Sequence, residues 1–254
     1  AYVPYGPELE PSEEVQGEFL EELSEILRSY LPKSCIGIRY DLAWQSHWDK
    51  PENYNESNTW EGPPDRKYQE FRLNYNTNNW NLKRANSDIL PAHTVYLDLI
   101  PDEQTLLARM KPKTRYNIHL AARKGVTVRR AGMEELPLWY KLYSDTAQRN
   151  GIFLNDIEYF KSVLAAKADD TLSPATVELL LAEKDGEALA AIFLVLSGNR
   201  GTYLYGASSS QHRNCMPTYA LQWEAIRIAK ASGCTEYDMF GVSPGPEPSH
   251  PMYG

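Results

Sequence analysis

The chain has 254 residues, with 26 Lys+Arg against 34 Asp+Glu and 42% hydrophobic residues, enough to bury roughly three quarters of its unfolded surface in one or two globular domains. No stretch approaches the roughly 18 consecutive apolar residues of a membrane span, and ample Leu, Ile and Val beside 24% charged residues argue against wholesale disorder. Cys35, Cys215 and Cys234 are far apart and form no CxxC, which argues against a disulfide scaffold or a structural zinc site and favours a reducing compartment.

The chain begins Ala-Tyr-Val-Pro rather than with Met, as expected of a fragment. Pro4, Pro7 and Pro11 punctuate an entry segment, read as the end of a strand. Ser12 then heads a helix with Phe19, Leu20, Leu23, Ile26 and Leu27 on one stripe. Cys35–Tyr40 reads as a strand delivering Asp41 at its end. Residues 46–88, rich in Asn, Trp and Tyr, form a long irregular connection expected to hold short elements that no pattern locates. From His93 the periodicity sharpens: a strand over Thr94–Leu99, a helix over Asp102–Met110, a second over Thr114–Lys124 stopped by Gly125, and a strand over Val126–Arg130. Two helices follow, Glu134–Asn150 stopped by Gly151, and Asp156–Ala168. Val177–Glu183, Ala188–Ser197 and Gly201–Ala207 read as antiparallel strands, the first two joined by Asp185-Gly186. A helix over Pro217–Ser232 and a strand over Glu236–Phe240 complete the chain. The order β-α-α-β-α-α-β-β-β-α-β is that of an α/β acyltransferase domain of the GNAT type.

Charge is unevenly placed. Residues 1–92 carry 16 acids and 9 bases, and residues 93–254 carry 18 and 17. Eight bases lie between Arg109 and Arg130 with no acid among them. Such a run is either a polyanion contact or a solvated helix face followed by a strand. GxxxxGK[ST], HExxH and GxSxG are absent, so P-loop, zincin and serine-hydrolase readings lack their signatures. The nearest approach to the GNAT loop for acyl-CoA pyrophosphate, (Arg/Gln)-x-x-Gly-x-(Gly/Ala), is Gln148–Phe153. That segment fails at its last position and follows the wrong element, which disfavours an acyl-CoA donor.

Several phrases together resemble the Fem family (FemABX) of tRNA-dependent aminoacyltransferases. They are Met110-Lys-Pro-Lys-Thr-Arg-Tyr-Asn-Ile-His119 with Arg123-Lys-Gly-Val126, Arg149-Asn-Gly-Ile152, Ile157-Glu-Tyr-Phe160, Tyr203-Leu-Tyr-Gly-Ala-Ser208 and His212-Arg-Asn214. Pro217-Thr-Tyr-Ala-Leu-Gln-Trp223, Tyr237-Asp238, Gly241-Val242 and His250-Pro-Met-Tyr-Gly254 follow, with Tyr2-Val-Pro-Tyr-Gly-Pro7 and Ile38-Arg-Tyr-Asp41 in the first half. The match covers nearly the whole chain and is weakest over 46–88. It implies two GNAT-like subdomains, each a mixed, mainly antiparallel sheet flanked by helices. Residues 1–92 are an incomplete first subdomain, and 93–254 a second one truncated at its C-terminal end. Family members carry further segments before the Tyr-x-x-x-Gly-Pro phrase and after His-Pro-x-Tyr-Gly. The coiled-coil arm of some members is missing.

The resemblance implies transfer of an amino acid from aminoacyl-tRNA to the stem-peptide side-chain amine of a peptidoglycan precursor, lipid II or its UDP-linked form. It implies a cytoplasmic protein in peripheral contact with the inner membrane face, and no cofactor or metal. The rivals are an N-acyltransferase of the same fold with another donor, and a non-catalytic precursor- or RNA-binding module. A lysine-like amine with pKa near 10.4 costs roughly 4–5 kcal/mol to deprotonate at pH 7, so a general base or desolvation is needed. Asp41 matches the position proposed as base. Its alternatives are a carboxylate paired with Arg39 or a turn cap, with the substrate assisting its own deprotonation. Tyr159 and Tyr205 match acceptor-contacting positions, where a flat face and a hydroxyl suit sugar, peptide or phosphate; core packing is the alternative, and Tyr203 is expected to pack. Asn155 stands where some relatives have Arg, so a phosphate contact is either lost or supplied by Arg149. Lys111, Lys113 and Arg115 flank a helix N-terminus suited to anions. His212 and Arg213 are expected on a surface loop, and His250 and Cys215 in packing or loop hydrogen bonds.

Overall fold

A computed structural model describes residues 1–50, 62–168 and 175–242. The chain divides into two compact units, one of residues 1–93 with those from 241 on, the other Thr94–Phe240.

In the first unit, β1 (Tyr2–Pro4) precedes α1 (Gln16–Arg28), and β2 (Arg39–Asp41) runs parallel to β1 with Pro4 opposite Asp41. The ladder is shorter than the strand expected over Cys35–Tyr40, because β1 offers only three residues to pair with. The irregular connection contains α2 (Arg66–Asn74), which packs on α1. Leu20 is the one buried apolar side chain of this unit among the described residues, so polar anchors hold it. The buried Glu21 carboxylate accepts the N–H groups of Asn78 (2.7 Å) and Asn79 (2.8 Å). The buried Asn74 amide donates to the carbonyls of Glu70 (2.7 Å) and Leu82 (2.9 Å).

The helices cross at Gly17, where an added Cβ would sit 1.7 Å from the Leu73 carbonyl oxygen. Gly17→Ala must push the helices apart. We expect it to destabilise the unit by about 1–3 kcal/mol, the usual cost of overpacking, in thermal or urea melts. An unchanged melt would mean that the crossing is loose.

The second unit opens with β3 (Tyr96–Asp98), α3 (Glu103–Arg109), α4 (Pro112–Arg123) and β4 (Thr127–Ala131). α5 (Leu136–Asn150), α6 (Ile157–Ala165) and the two-residue β5 (Lys167–Ala168) follow. β6 (Ala175–Lys184), β7 (Glu187–Ser197), β8 (Arg200–Ser208), α7 (Pro217–Ala231) and β9 (Glu236–Asp238) complete it. The strands form one mixed sheet of order β3-β9-β8-β7-β6-β4, in which β8 and β9 are parallel and β5 pairs with β6. The expected order of elements stands. Most ends shift by one or two residues, and the helix expected to reach Ala168 stops at Ala165, because the β6 edge recruits Lys167 and Ala168. The last strand stops at Asp238, whose buried carboxylate accepts the N–H of Phe240 (2.8 Å) and holds that residue at φ 59°. Asp185 and Gly186, both at positive φ, make the tight turn between β6 and β7.

The sheet is buried on both faces, which is why its central strands read as continuous apolar runs. Leu180, Ala182, Ile192 and Leu194 face α3, α4 and α7 through Leu106, Ala121, Leu221 and Ala225. Leu179, Leu181, Ala191 and Phe193 face α5 and α6 through Trp139, Tyr143 and Phe160. Along β8 the alternation breaks once. Phe193 pairs with Tyr205 and Leu194 with Tyr203, leaving Leu204 as the extra residue of a β-bulge. Tyr203 therefore packs on the α3/α4/α7 side and Tyr205 on the α5/α6 side, although they are two residues apart.

Candidate functional site

On the α5/α6 side, the Asp156 side chain caps α6 by accepting the N–H of Tyr159 (2.7 Å). Tyr159 reaches Tyr205, the two hydroxyls lying 2.6 Å apart with their rings nearly perpendicular. Phe160 packs against both rings at 5.3 and 5.4 Å, with Trp139, Tyr143 and Phe193 behind it. Tyr159 is 41% exposed and Tyr205 half-buried. Burial, then the hydrogen bond and proximity of Tyr159, push the Tyr205 pKa upward, so its hydroxyl stays protonated and acts as a donor rather than a base.

Arg149, at the end of α5, lies on the same side. Its guanidinium donates to the Ser208 carbonyl (3.1 Å), and to the hydroxyls of Ser208 and Thr146 (both 3.3 Å). No carboxylate among the described residues pairs with it, so an exposed, oriented positive charge stands three residues along β8 from Tyr205. Tyrosine pair and arginine together offer hydroxyl and guanidinium donors for an anionic or carbonyl-bearing ligand.

The other expected contacts lie elsewhere. Lys111, Lys113 and Arg115 belong to the start of α4, on the opposite side of the sheet. Arg115 donates to the carbonyls of Ala108 and Met110, joining α3 to α4, while Lys111 and Lys113 are exposed. Of the eight consecutive bases, Arg109 pairs with Asp98 (3.5 Å), Arg129 with Glu135 and Glu183, and Arg130 with Glu178 (2.7 Å). The solvated, ion-paired reading holds for those three. Lys111, Lys113, Arg123 and Lys124 have no carboxylate partner among the described residues, and Arg123 lies over the Tyr116 ring at 5.5 Å.

Asp41, in the first unit, has the paired arrangement. Its carboxylate accepts the Tyr2 hydroxyl (2.7 Å), the Leu90 N–H (3.3 Å) and the Arg39 Nε (3.4 Å). Partial burial raises its pKa, but these hydrogen bonds and the Arg39 charge bring the net shift down, which makes it a weak proton acceptor. His212 is exposed, 3.8 Å from the Glu187 carboxylate, and Cys215 is buried. His250 and the phrase ending at Gly254 lie outside the described residues. Sequence reasoning missed the aromatic floor under the tyrosines; the i, i+4 pair Trp139 and Tyr143 was its visible signal.

A mixed sheet covered by helices on both faces, with a bulged strand presenting one of two paired tyrosines, defines the second unit as a GNAT-type acyltransferase fold. The chain belongs to the FemAB family, whose model matches residues 2–179 and 174–250. It is 25% identical to the lipid II:glycine glycyltransferase of Staphylococcus epidermidis strain RP62A over a 223-residue alignment covering 65% of this chain and 54% of that protein. It is 23% identical to the Staphylococcus aureus protein of the same name over 228 residues, with the same coverage of 65% and 54%. The chain thus spans about half the length of the curated relatives it matches. The crystal structure of FemX shares the fold with a TM-score of 0.70 at 19% identity, covering all of this chain and 74% of that one.

Proposed function

We propose that this chain carries an aminoacyltransferase that moves an amino acid from aminoacyl-tRNA to the stem-peptide side-chain amine of a peptidoglycan precursor. The acceptor is lipid II or its UDP-linked form, met at the inner membrane face. The observation that carries the reading is the Tyr159–Tyr205 hydroxyl pair with Arg149 beside it, in a chain whose relatives are named lipid II:glycine glycyltransferase. The neutral hydroxyls and the guanidinium hold the acceptor's phosphate or peptide oxygens. The free amine attacks the ester carbonyl, the C–N bond forms, the ester C–O bond breaks, and the ribose hydroxyl of the tRNA leaves with the proton.

Asp41 is a positioning residue in this scheme: its oxygens are occupied, so a carboxylate of the acceptor takes the ammonium proton first. The ester supplies the activation, and the reaction draws on no further cofactor. The connection from β8 to α7 supports tRNA over acyl-CoA. Read from Gln211, it carries Asn214 and Met216 where the pyrophosphate loop has Gly and Gly/Ala, and Met216 packs on the core.

The test is a transfer assay on the full chain with tRNA charged with labelled glycine, a muropeptide precursor, and controls lacking either. Label on the muropeptide only when both are present is the expected result. Absence of transfer with every tRNA of a charged pool would overturn the proposal.

A further inference from the structure

The sheet side away from the tyrosine pair has a groove that the acceptor chemistry does not use. It lies between α4 and α7 as an open surface depression of about 320 Å³, lined by His119 and Ala122, by Val126 and Val128, and by Trp223 and Glu224. Trp223 is partly buried against the core beneath and forms an aromatic wall. The volume is at the small end of ligand sites, about 300 Å³ upward, the scale of a single planar ring system. Lys111, Lys113, Arg123 and Lys124, the four cations without a carboxylate partner among the described residues, all lie at or within the ends of α4. Glu224, the acid of the lining, pairs with Arg227 at 2.7 Å, a guanidinium it shares with Glu103 at 3.1 Å.

An aromatic wall with unpaired cations at both ends of the adjoining helix is a combination that holds single-stranded nucleic acid: bases stack, and phosphates meet the charge. We infer that the α4–α7 groove takes an unpaired base of an RNA strand, stacked on Trp223, with the adjoining phosphates on the α4 cations. This rests on the reading that an aminoacyl-tRNA is the donor, and it names where the chain grips the RNA. The ligand is a strand rather than a free nucleotide, because the two pairs of cations stand at opposite ends of the twelve-residue α4, farther apart than one phosphate reaches.

The experiment is fluorescence anisotropy of the full chain with a labelled single-stranded adenosine hexanucleotide, competed with AMP, across a salt series. Trp223→Leu should weaken hexanucleotide binding about tenfold, while Trp223→Phe, which keeps a stacking face and controls for folding, stays within about twofold. Lys111→Ala with Lys113→Ala should flatten the log–log salt dependence by about 1.4, from about 0.7 per phosphate contact on single strands. Equal affinity of Trp223→Leu and the unsubstituted chain overturns the inference, as does AMP binding as tightly as the hexanucleotide. A Trp223→Leu chain that sediments as a smaller species than the unsubstituted one makes the groove an interface between copies, and also overturns it. In the transfer assay, Trp223→Leu should raise the donor KM and leave the acceptor KM unmoved. Full transfer at an unchanged donor KM sinks the groove alone, whereas Trp223-dependent RNA binding without any transfer sinks the aminoacyltransferase reading and leaves the groove standing.

Discussion

Trp139→Ala should cost the second unit about 3–5 kcal/mol, the range for emptying a buried tryptophan site. Trp139 is fully buried, stacked on Tyr143 at 5.5 Å and edge-on to Phe160 (5.5 Å) and Phe193 (4.6 Å). Its indole N–H has no hydrogen-bond partner among the described residues, so the loss is one of volume and ring contact. Trp139→Phe should therefore be much milder. Urea denaturation of the two variants measures the difference, and a loss below about 1 kcal/mol for Trp139→Ala would mean that the layer collapses to fill the hole. The effect reaches the site, because Phe160 packs on Trp139 from one side and on Tyr159 and Tyr205 from the other. Trp139→Ala should accordingly raise the acceptor KM even below the temperature at which it unfolds.

Tyr205→Phe should raise the acceptor KM by roughly one to two orders of magnitude and leave the donor KM alone. It deletes one hydroxyl, and a hydrogen bond to a charged group is worth about 1.5–3 kcal/mol. The ring remains against Phe160, Phe193 and Tyr143, so the variant should fold normally, and unchanged kinetics would remove Tyr205 from the site. The pH dependence has a definite sign. A hydroxyl donor is lost on deprotonation, and burial moves that loss above the ordinary tyrosine value of about 10. Acceptor binding should show no weakening from Tyr205 as pH rises through 8 and 9.

Much of the second unit was legible because its punctuation is local. Gly125, Gly151 and Gly233 follow the ends of α4, α5 and α7 at positive φ, and Asp156 caps α6 through its own side chain. The apolar runs of β6 and β7 needed only a sheet covered on both sides. What escaped was decided by distant partners. α2 has no apolar stripe, leaving Tyr68 and Phe71 exposed, and the seat of Leu73 on Gly17 is what places it. Lys167 and Ala168 continue a helix-compatible run until β6 claims them. The fate of the basic run depended on Glu178 and Glu183, about fifty residues downstream, whose ion pairs with Arg130 and Arg129 no local pattern announces. The tyrosine pair was named by resemblance alone; the contact between its members is a product of the fold.

Leu204 gives β8 a change of parity. Side chains of a strand alternate between the two sides, so one supernumerary residue reassigns all that follow it, sending Tyr203 one way and Tyr205 the other. Had β8 paired with β7 without the bulge, Tyr203 and Tyr205 would share one side of the sheet, and Tyr205 would face away from Tyr159. Gly206 would take its place, a residue that has no side chain because the Tyr203 ring lies where its Cβ would be. The bulge thus absorbs one residue of chain length and leaves the Tyr159-facing side of β8 as it would be in a homologue one residue shorter.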